Sequence, residues 1–284
     1  MLLPAGLVPM PHTAKDEDSF VVLHKGSRAA TIGGGKVNDS ILNILMITYN
    51  CPRYTRMALE RLLGTCSYGM YVSVWHNGND AETLEVVHSF ARHPHLKEIH
   101  ISSENKRLRE PTNWFWENSD APFLSKVDDD CLVPDGWANT LIEAHNQNPE
   151  LGLLACWHYH EDDYVPELAE RKLRDLPGGQ RILLNCWVPG SGYVMKRKLF
   201  EQLGKMRPDE SFTSYGIRAA KAGWINGWYF PFLRQEHMED PRSPYSRFRC
   251  EDDFLRDRPL SAIGDNVNSL EEWQNRVRWI ARSV

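Results

Sequence analysis

The chain has 284 residues, of which 42% are hydrophobic and 11% aromatic, with a formal charge of -5 and a pI near 6.1. That is enough apolar material for one large α/β domain or two smaller ones, and the mild acidity excludes sequence-independent attraction to nucleic acid as a global property. Six scattered cysteines without a C-x-x-C pair exclude a disulfide-stapled scaffold and predict reduced thiols in a cytoplasmic protein.

The opening "MLLPAGLVPMPHTAKDEDSF" lacks a basic leader, is broken by prolines and is too short to span a bilayer, so no transmembrane segment is expected. Residues 1–40 read as an N-terminal extension with a hairpin in "SFVVLHKGSRAATI". Gly33 to Gly35 precede a strand and lack a GK[ST] ending, which favours a flexible link over a phosphate cradle.

From Ile41 the pattern becomes rhythmic. "ILNILMIT" is an unbroken apolar run suited to a strand buried on both faces, and "RYTRMALERLLGTC" places apolar residues at helical spacing. Strand "YGMYVSVWHNGND", helix "AETLEVVHSFARHP", strand "LKEIHISSEN", a helix around "EPTNWFWENS" and strand "APFLSKVDDD" follow. Such alternation builds a mostly parallel sheet flanked by helices, with ligands at the carboxyl ends of the strands. The loops "TYNCPRY", "HNGND", "ENKRLREPTN" and "DDDCLVPDGW" therefore converge on one edge.

Beyond the helix "GWANTLIEAHNQNP" come strand "LGLLACWHYH", a polar and aromatic stretch, and strand, glycine turn, strand and helix in "ILLNCWVPGSGYVMKRKLFEQLG". "SYGIRAAKAGW" reads as a helix closed by Gly223, "WINGWYFPFLRQEHM" as a strand, and "SLEEWQNRVRWIARSV" as an amphipathic terminal helix. The expected division is one integrated domain over 41–240, with a nucleotide half at 41–137 and an acceptor half at 138–240, followed by a helical tail at 241–284.

Asp128 and Asp130, one residue apart at a strand end, can point to one side and offer hard oxygen ligands to Mg2+ or Mn2+. An acidic triplet is also the composition of a turn, with Asp135 available to cap the next helix. The stretch His158 to Asp163 is open to two readings, a second metal site or a mobile loop facing an acceptor.

In order and spacing, "ILMITYNCPRYTRMALERLL", "VSVWHNGND", "ENKRLREPTNW" and "PFLSKVDDDCLVPDGW" resemble the nucleotide-sugar-binding half of GT-A fold glycosyltransferases, especially those of glycosyltransferase family 2. The resemblance continues more loosely through "GSGYVMKRKLFEQLG" and "AAKAGW" to His237. It implies a GT-A, Rossmann-like sheet and metal-dependent transfer of a sugar from a nucleoside-diphosphate sugar to an acceptor hydroxyl, with inversion. Thr48, Tyr49 and Asn50 would line the nucleotide pocket, and Asn77 would stand where the family usually has an Asp that reads base or ribose. Lys106 and Arg107 would meet the diphosphate, or simply form a solvated loop.

Asp128 and Asp130 match the family's D-x-D element. Asp130 would be the direct metal ligand, Asp128 would lie nearer the ribose or a metal-bound water, and Asp129 would point away. His237 resembles the histidine that completes the metal site, with Mn2+ or Mg2+ as cofactor. The family's acidic pair before the Arg-containing helix is absent, since "SFTSYGI" holds no acid, which leaves Asp209 or Glu210 as the catalytic base. Without either, the transfer would be retaining, or the base would lie in "HYHEDDYVPE". Trp187, Gly190, Ser191 and Gly192 fall on the acceptor side, and a glycan, a protein or a modified nucleic-acid base all fit as acceptor. The competing readings are a nucleotidylyltransferase, which the loop "TYNCPRYTR" does not favour, and a non-catalytic sugar-nucleotide or glycan binder.

Overall fold

The computed structural model describes residues 19–22 and 39–284; the glycine run Gly33 to Gly35 and most of the anticipated hairpin lie outside them. Backbone of β1 (Ser19–Val22) adds an edge strand to the central sheet. The apolar run after Ile41 forms β2 (Leu42–Thr48), which is buried along its whole length. Pro52 opens α1 (Pro52–Thr65) where its missing N–H costs nothing. Tyr54, Ala58, Leu59, Leu62 and Leu63, recurring every three or four residues, lay one face of that helix on the sheet.

β3 (Met70–Asn77) follows, and then α2 (Ala81–Ser89), capped by the Asp80 carboxylate accepting from the Thr83 N–H. Next come β4 (Leu96–Ser102), α3 (Arg109–Asn118) and β5 (Phe123–Lys126). The order β4-β3-β2-β5 is parallel throughout. The chain moves outward from β2 to β4 and then returns to the other side of β2, so loops diverge between β2 and β5 and open a crevice at their carboxyl ends.

The second half comprises β6 (Cys131–Leu132), α4 (Trp137–Gln147), β7 (Leu151–Ala155), a 3-10 turn at Glu161–Asp163, α5 (Pro166–Ala169), β8 (Leu173–Asp175) and β9 (Arg181–Asn185). It continues with β10 (Tyr193–Lys196), α6 (Arg197–Leu203), α7 (Phe212–Lys221), β11 (Ile225–Phe230) and β12 (Glu236–His237). The full sheet runs β1-β4-β3-β2-β5-β10-β7-β11-β9-β8, in which only β1, β9 and β10 oppose the common direction. This is the mostly parallel α/β architecture expected. One apolar core lies under α1, α2 and α4, another under α3, α6 and α7.

After β12 the chain forms α8 (Glu251–Arg256), α9 (Leu260–Gly264) and α10 (Leu270–Arg282), which enclose a small third core around Phe248, Phe254 and Trp273. No helix among the described residues is long and apolar enough to cross a membrane. The single strand anticipated over "WINGWYFPFLRQEHM" is two: β11 stops before Pro231, which has no N–H to donate, and β12 pairs elsewhere, with β6. Asp135 does not cap α4. The cap position belongs to Gly136 in a left-handed conformation, while the Asp135 carboxylate pairs with Arg61 at 3.1 Å.

Candidate active site

Direct bonds tie the four loops at the carboxyl edge to one another. Asp129, the middle acid of the triplet, turns back toward the first loop and the start of α1, accepting from the Tyr49 N–H at 3.2 Å and the Thr55 hydroxyl at 2.9 Å. The Gly78 N–H donates to the Ser102 carbonyl at 2.9 Å. Asn77 joins the second and third loops. Its Oδ1 accepts from the Trp75 indole and the Lys106 N–H, both at 3.1 Å, and its Nδ2 donates to the Arg107 carbonyl at 3.0 Å.

Three contacts nearly exhaust an amide. Asn77 is therefore a buried loop brace, where the resemblance placed a base reader. Thr48 likewise faces inward: its hydroxyl lies 3.0 Å from His76 Nδ1 across the β2–β3 register, away from the crevice. Tyr49 is half-buried with its ring beside Gly78, and Asn50, exposed at φ 46°, carries the turn into α1. Lys106 and Arg107 close the loop after β4, with Lys106 3.5 Å from Glu104 and Arg107 exposed at φ 58°.

The small β6–β12 sheet sets Cys131 opposite His237 and thereby joins the acidic loop to the distant "EHMED" segment. His237 Nε2 lies 3.2 Å from Asp130 Oδ2, across 107 residues of chain. Glu239 completes a cluster in which one donor atom each from Asp130, His237 and Glu239 lies within 4.8 Å of the others. No sequence argument had named Glu239. Asp128 stands apart from this trio: its carboxylate is in close contact with Nζ of Lys126, a lysine buried on β5, and its N–H donates to Ser191 Oγ at 3.0 Å. Gln235 Nε2 spans Ser191 Oγ at 3.2 Å and His158 Nδ1 at 3.0 Å, and the His158 ring stacks on His237.

The electrostatics show a shortage of positive charge. Burial alone would raise the Asp130 carboxyl, but the His237 imidazole outweighs it and holds Asp130 well below the usual range. Burial works against a charged His237, yet Asp130 and the nearby acids push it up to about 9. Glu239, raised first by burial and then by Asp130, reaches about 7. Burial also raises Asp128 and Asp129. Two carboxylates and an imidazole, gathered where burial penalises their charge, form a donor set that fits one divalent cation.

The two acids expected as base behave differently. Glu210 receives Arg218 Nε at 2.8 Å and Arg218 Nη2 at 2.7 Å, together with the Arg207 N–H at 3.1 Å. That carboxylate is a buried anchor for the start of α7. Asp209 beside it is exposed. The His158 to Asp163 stretch is tied down: Asp163 is buried and receives two guanidinium bonds from Arg242, at 3.0 and 2.7 Å, and Glu161 meets Arg234 at 3.1 Å. Next to it lies a cleft of about 660 Å3 whose walls include Leu132, Tyr159, His160, Glu161, Gln235 and Glu236. β6 and β12 thus serve both this cleft and the Asp130–His237 cluster.

A family model described as "Glycosyl transferase family 2" matches residues 43–204. Among solved structures, the mannosyltransferase PcManGT from Pyrobaculum calidifontis, in complex with GDP-Man and Mn2+, aligns with a TM-score of 0.58 at 16% identity, over 85% of this chain and 72% of that one. S. aureus TarS 1-349 in complex with UDP-GlcNAc aligns with a TM-score of 0.55 at 14% identity, over 83% and 72% of the two chains. A second structure of TarS 1-349 gives 0.52 at 15%, over 86% and 73%. At these identities the likeness is one of fold. No curated protein matches the chain.

Proposed function

Because the chain belongs to glycosyl transferase family 2, we propose that its carboxyl-edge crevice binds a nucleoside-diphosphate sugar with Mn2+ or Mg2+ and delivers the sugar, with inversion, to an acceptor hydroxyl. The observation that carries this reading is the meeting of Asp130 and His237 at 3.2 Å beside the four converging loops. The neighbours solved with GDP-Man and Mn2+ and with UDP-GlcNAc support it.

Asp130 and His237 would hold the cation, which when bound supplies charge neutralisation for the diphosphate leaving group. The protein's own residues do the rest. Asp129 fixes the acidic loop against Tyr49 and Thr55, so the first and fourth loops keep a set spacing. Tyr49 and Asn50 border the nucleotide, and Lys106 and Arg107, held in place by Asn77, bring positive charge toward the phosphates. The cleft walled by Tyr159, His160 and Glu161 admits the acceptor, offering an aromatic ring and polar groups to a hydroxyl-bearing molecule. Of the two acids in the loop before α7, Asp209 has the exposed carboxylate needed to take the acceptor proton.

A thermal-shift screen of nucleoside diphosphates and their sugars, with and without Mn2+, tests the reading. Metal-dependent stabilisation by at least one nucleotide is expected in the parent and not in Asp130→Ala. If no nucleotide shifts the parent in a metal-dependent way and the variant melts alike, the proposal is wrong. A second reading, a non-catalytic sugar-nucleotide binder, draws on the commitment of Glu210 to Arg218. Metal-dependent hydrolysis of the sugar nucleotide without acceptor would exclude it.

A further inference from the structure

We propose that Glu239 is the third protein ligand of the cation, in place of Asp128, whose carboxylate is already in contact with a buried lysine. The assignment rests on the reading that this site takes a divalent cation.

Glu239 has the required proximity to Asp130 and His237, and its position is fixed from three directions. Arg247 Nη2 donates to Oε1 at 3.0 Å, and among the described residues the other carboxylate oxygen accepts no hydrogen bond. The Trp273 indole of α10 donates to the Glu239 carbonyl at 3.3 Å. On the preceding residue, the Met238 carbonyl accepts from the Tyr54 hydroxyl of α1 at 3.0 Å, and that hydroxyl accepts the Arg247 N–H at 2.7 Å. Glu239 is therefore held between the first helix of the nucleotide half and the last helix of the chain. Such support from outside a ligand set fixes the aim of a ligating carboxylate.

The other candidates near the cluster are occupied. Lys126 is in contact with the Asp128 carboxylate, and it lies on β5, where water cannot replace it: its side chain is 4% exposed. A carboxylate held by a buried ammonium has less to gain from a second cation than Glu239, whose own partner Arg247 is 30% exposed. His158 turns Nδ1 to Gln235, and the Cys131 thiol lies 3.2 Å from Asp130 Oδ1 as a donor to it. The remaining set is two carboxylate oxygens and one imidazole nitrogen, which suits Mn2+ better than Mg2+.

Mn2+ alone is the probe, titrated into the full chain and read by the EPR signal of the free ion, with circular dichroism of the metal-free variants as the folding control. Glu239→Gln and Asp130→Asn are expected to weaken Mn2+ binding by about tenfold or more, while Asp128→Asn stays within about threefold of the parent. If Glu239→Gln does not fold, Glu239→Asp, which retains the charge but draws the oxygens back by one methylene, is expected to show the same weakening. Parent-like Mn2+ binding by the folded Glu239 variant, with Asp130→Asn impaired, overturns the ligand assignment alone. Asp128→Asn losing as much affinity as Asp130→Asn overturns it too. A parent chain that binds no Mn2+ overturns both this assignment and the metal reading beneath it.

Discussion

Replacing Glu210 by Ala separates an anchor from a catalytic base. The side chain removed is 8% exposed and Arg218 is 17% exposed, so water reaches the pair poorly. Arg218 would lose its two bonds to the carboxylate but keep those to the Leu203 carbonyl at 2.7 Å and the Lys205 carbonyl at 3.1 Å. The Arg207 N–H would lose its acceptor as well. Truncating one partner of a well-buried pair costs about 3–5 kcal/mol; the carbonyls that still hold the guanidinium and its partial access to water bring the expected loss to about 2–3 kcal/mol.

Urea denaturation at neutral pH, read as a lowered midpoint with an unchanged slope, measures that loss. The pH dependence has a definite sign. Burial would raise the Glu210 carboxyl, but the hydrogen bonds from Arg218 and Arg207 prevail and hold it low. Its contribution is therefore complete above the unfolded value of about 4.3 and disappears as pH falls through the lower folded value. Glu210→Ala should accordingly narrow its stability gap from the parent in acid. A variant within about 0.5 kcal/mol of the parent, but with transfer lost by about a hundredfold or more, would refute the anchor and make Glu210 the base.

Asp209→Asn is expected to do the reverse, lowering the transfer rate by roughly 100-fold or more with unchanged melting; NMR of the product anomer in the parent tests inversion in the same assay. Asn77→Ala strips partners from the Lys106 N–H and the Arg107 carbonyl. Each orphaned group costs about 1–3 kcal/mol if it stays buried, so hydrogen exchange at Lys106 should accelerate about tenfold or more, and unchanged exchange would dismiss the brace. Gly192→Ala sets a side chain on a backbone at φ 66°, with its Cβ driven into the Gln235 side-chain amide. A loss of about 2 kcal/mol or more is expected from strain and displacement of Gln235, and a parent-like melting temperature would contradict the close approach.

The βα rhythm from Ile41 to Lys126 was legible because each element is long enough for its period to show, and β2 announces burial on both faces by having no polar break. The β6–β12 sheet was not, since two residues per strand display no period. Asp130 stood out from its strand-end spacing and His237 from the resemblance alone; the bridge that joins them is a tertiary pairing. Glu239 follows His237 by two positions, a spacing that would have pointed to it had "EHMED" been placed at a strand end. Trp75, two residues before Asn77 on the same face of β3, was the available sign that the amide turns inward. Glu210 and Arg218 lie eight residues apart across a helix start, and their pairing depends on how Leu203 and Lys205 close α6.

The backbone of β1 lies antiparallel along β4, from Ser19 opposite Ile101 to Val22 opposite Glu98. Without it, the outer side of β4 would present a row of unsatisfied N–H and C=O groups, a template for another chain. The far side of the sheet needs no such cover, because β8 is three residues long and carries Arg174 and Asp175. β1 thus has a colloidal role, sealing the side of the sheet where copies of the molecule would otherwise stack strand to strand. A chain without β1 would leave that side of β4 open to self-association even with the rest of its sheet intact.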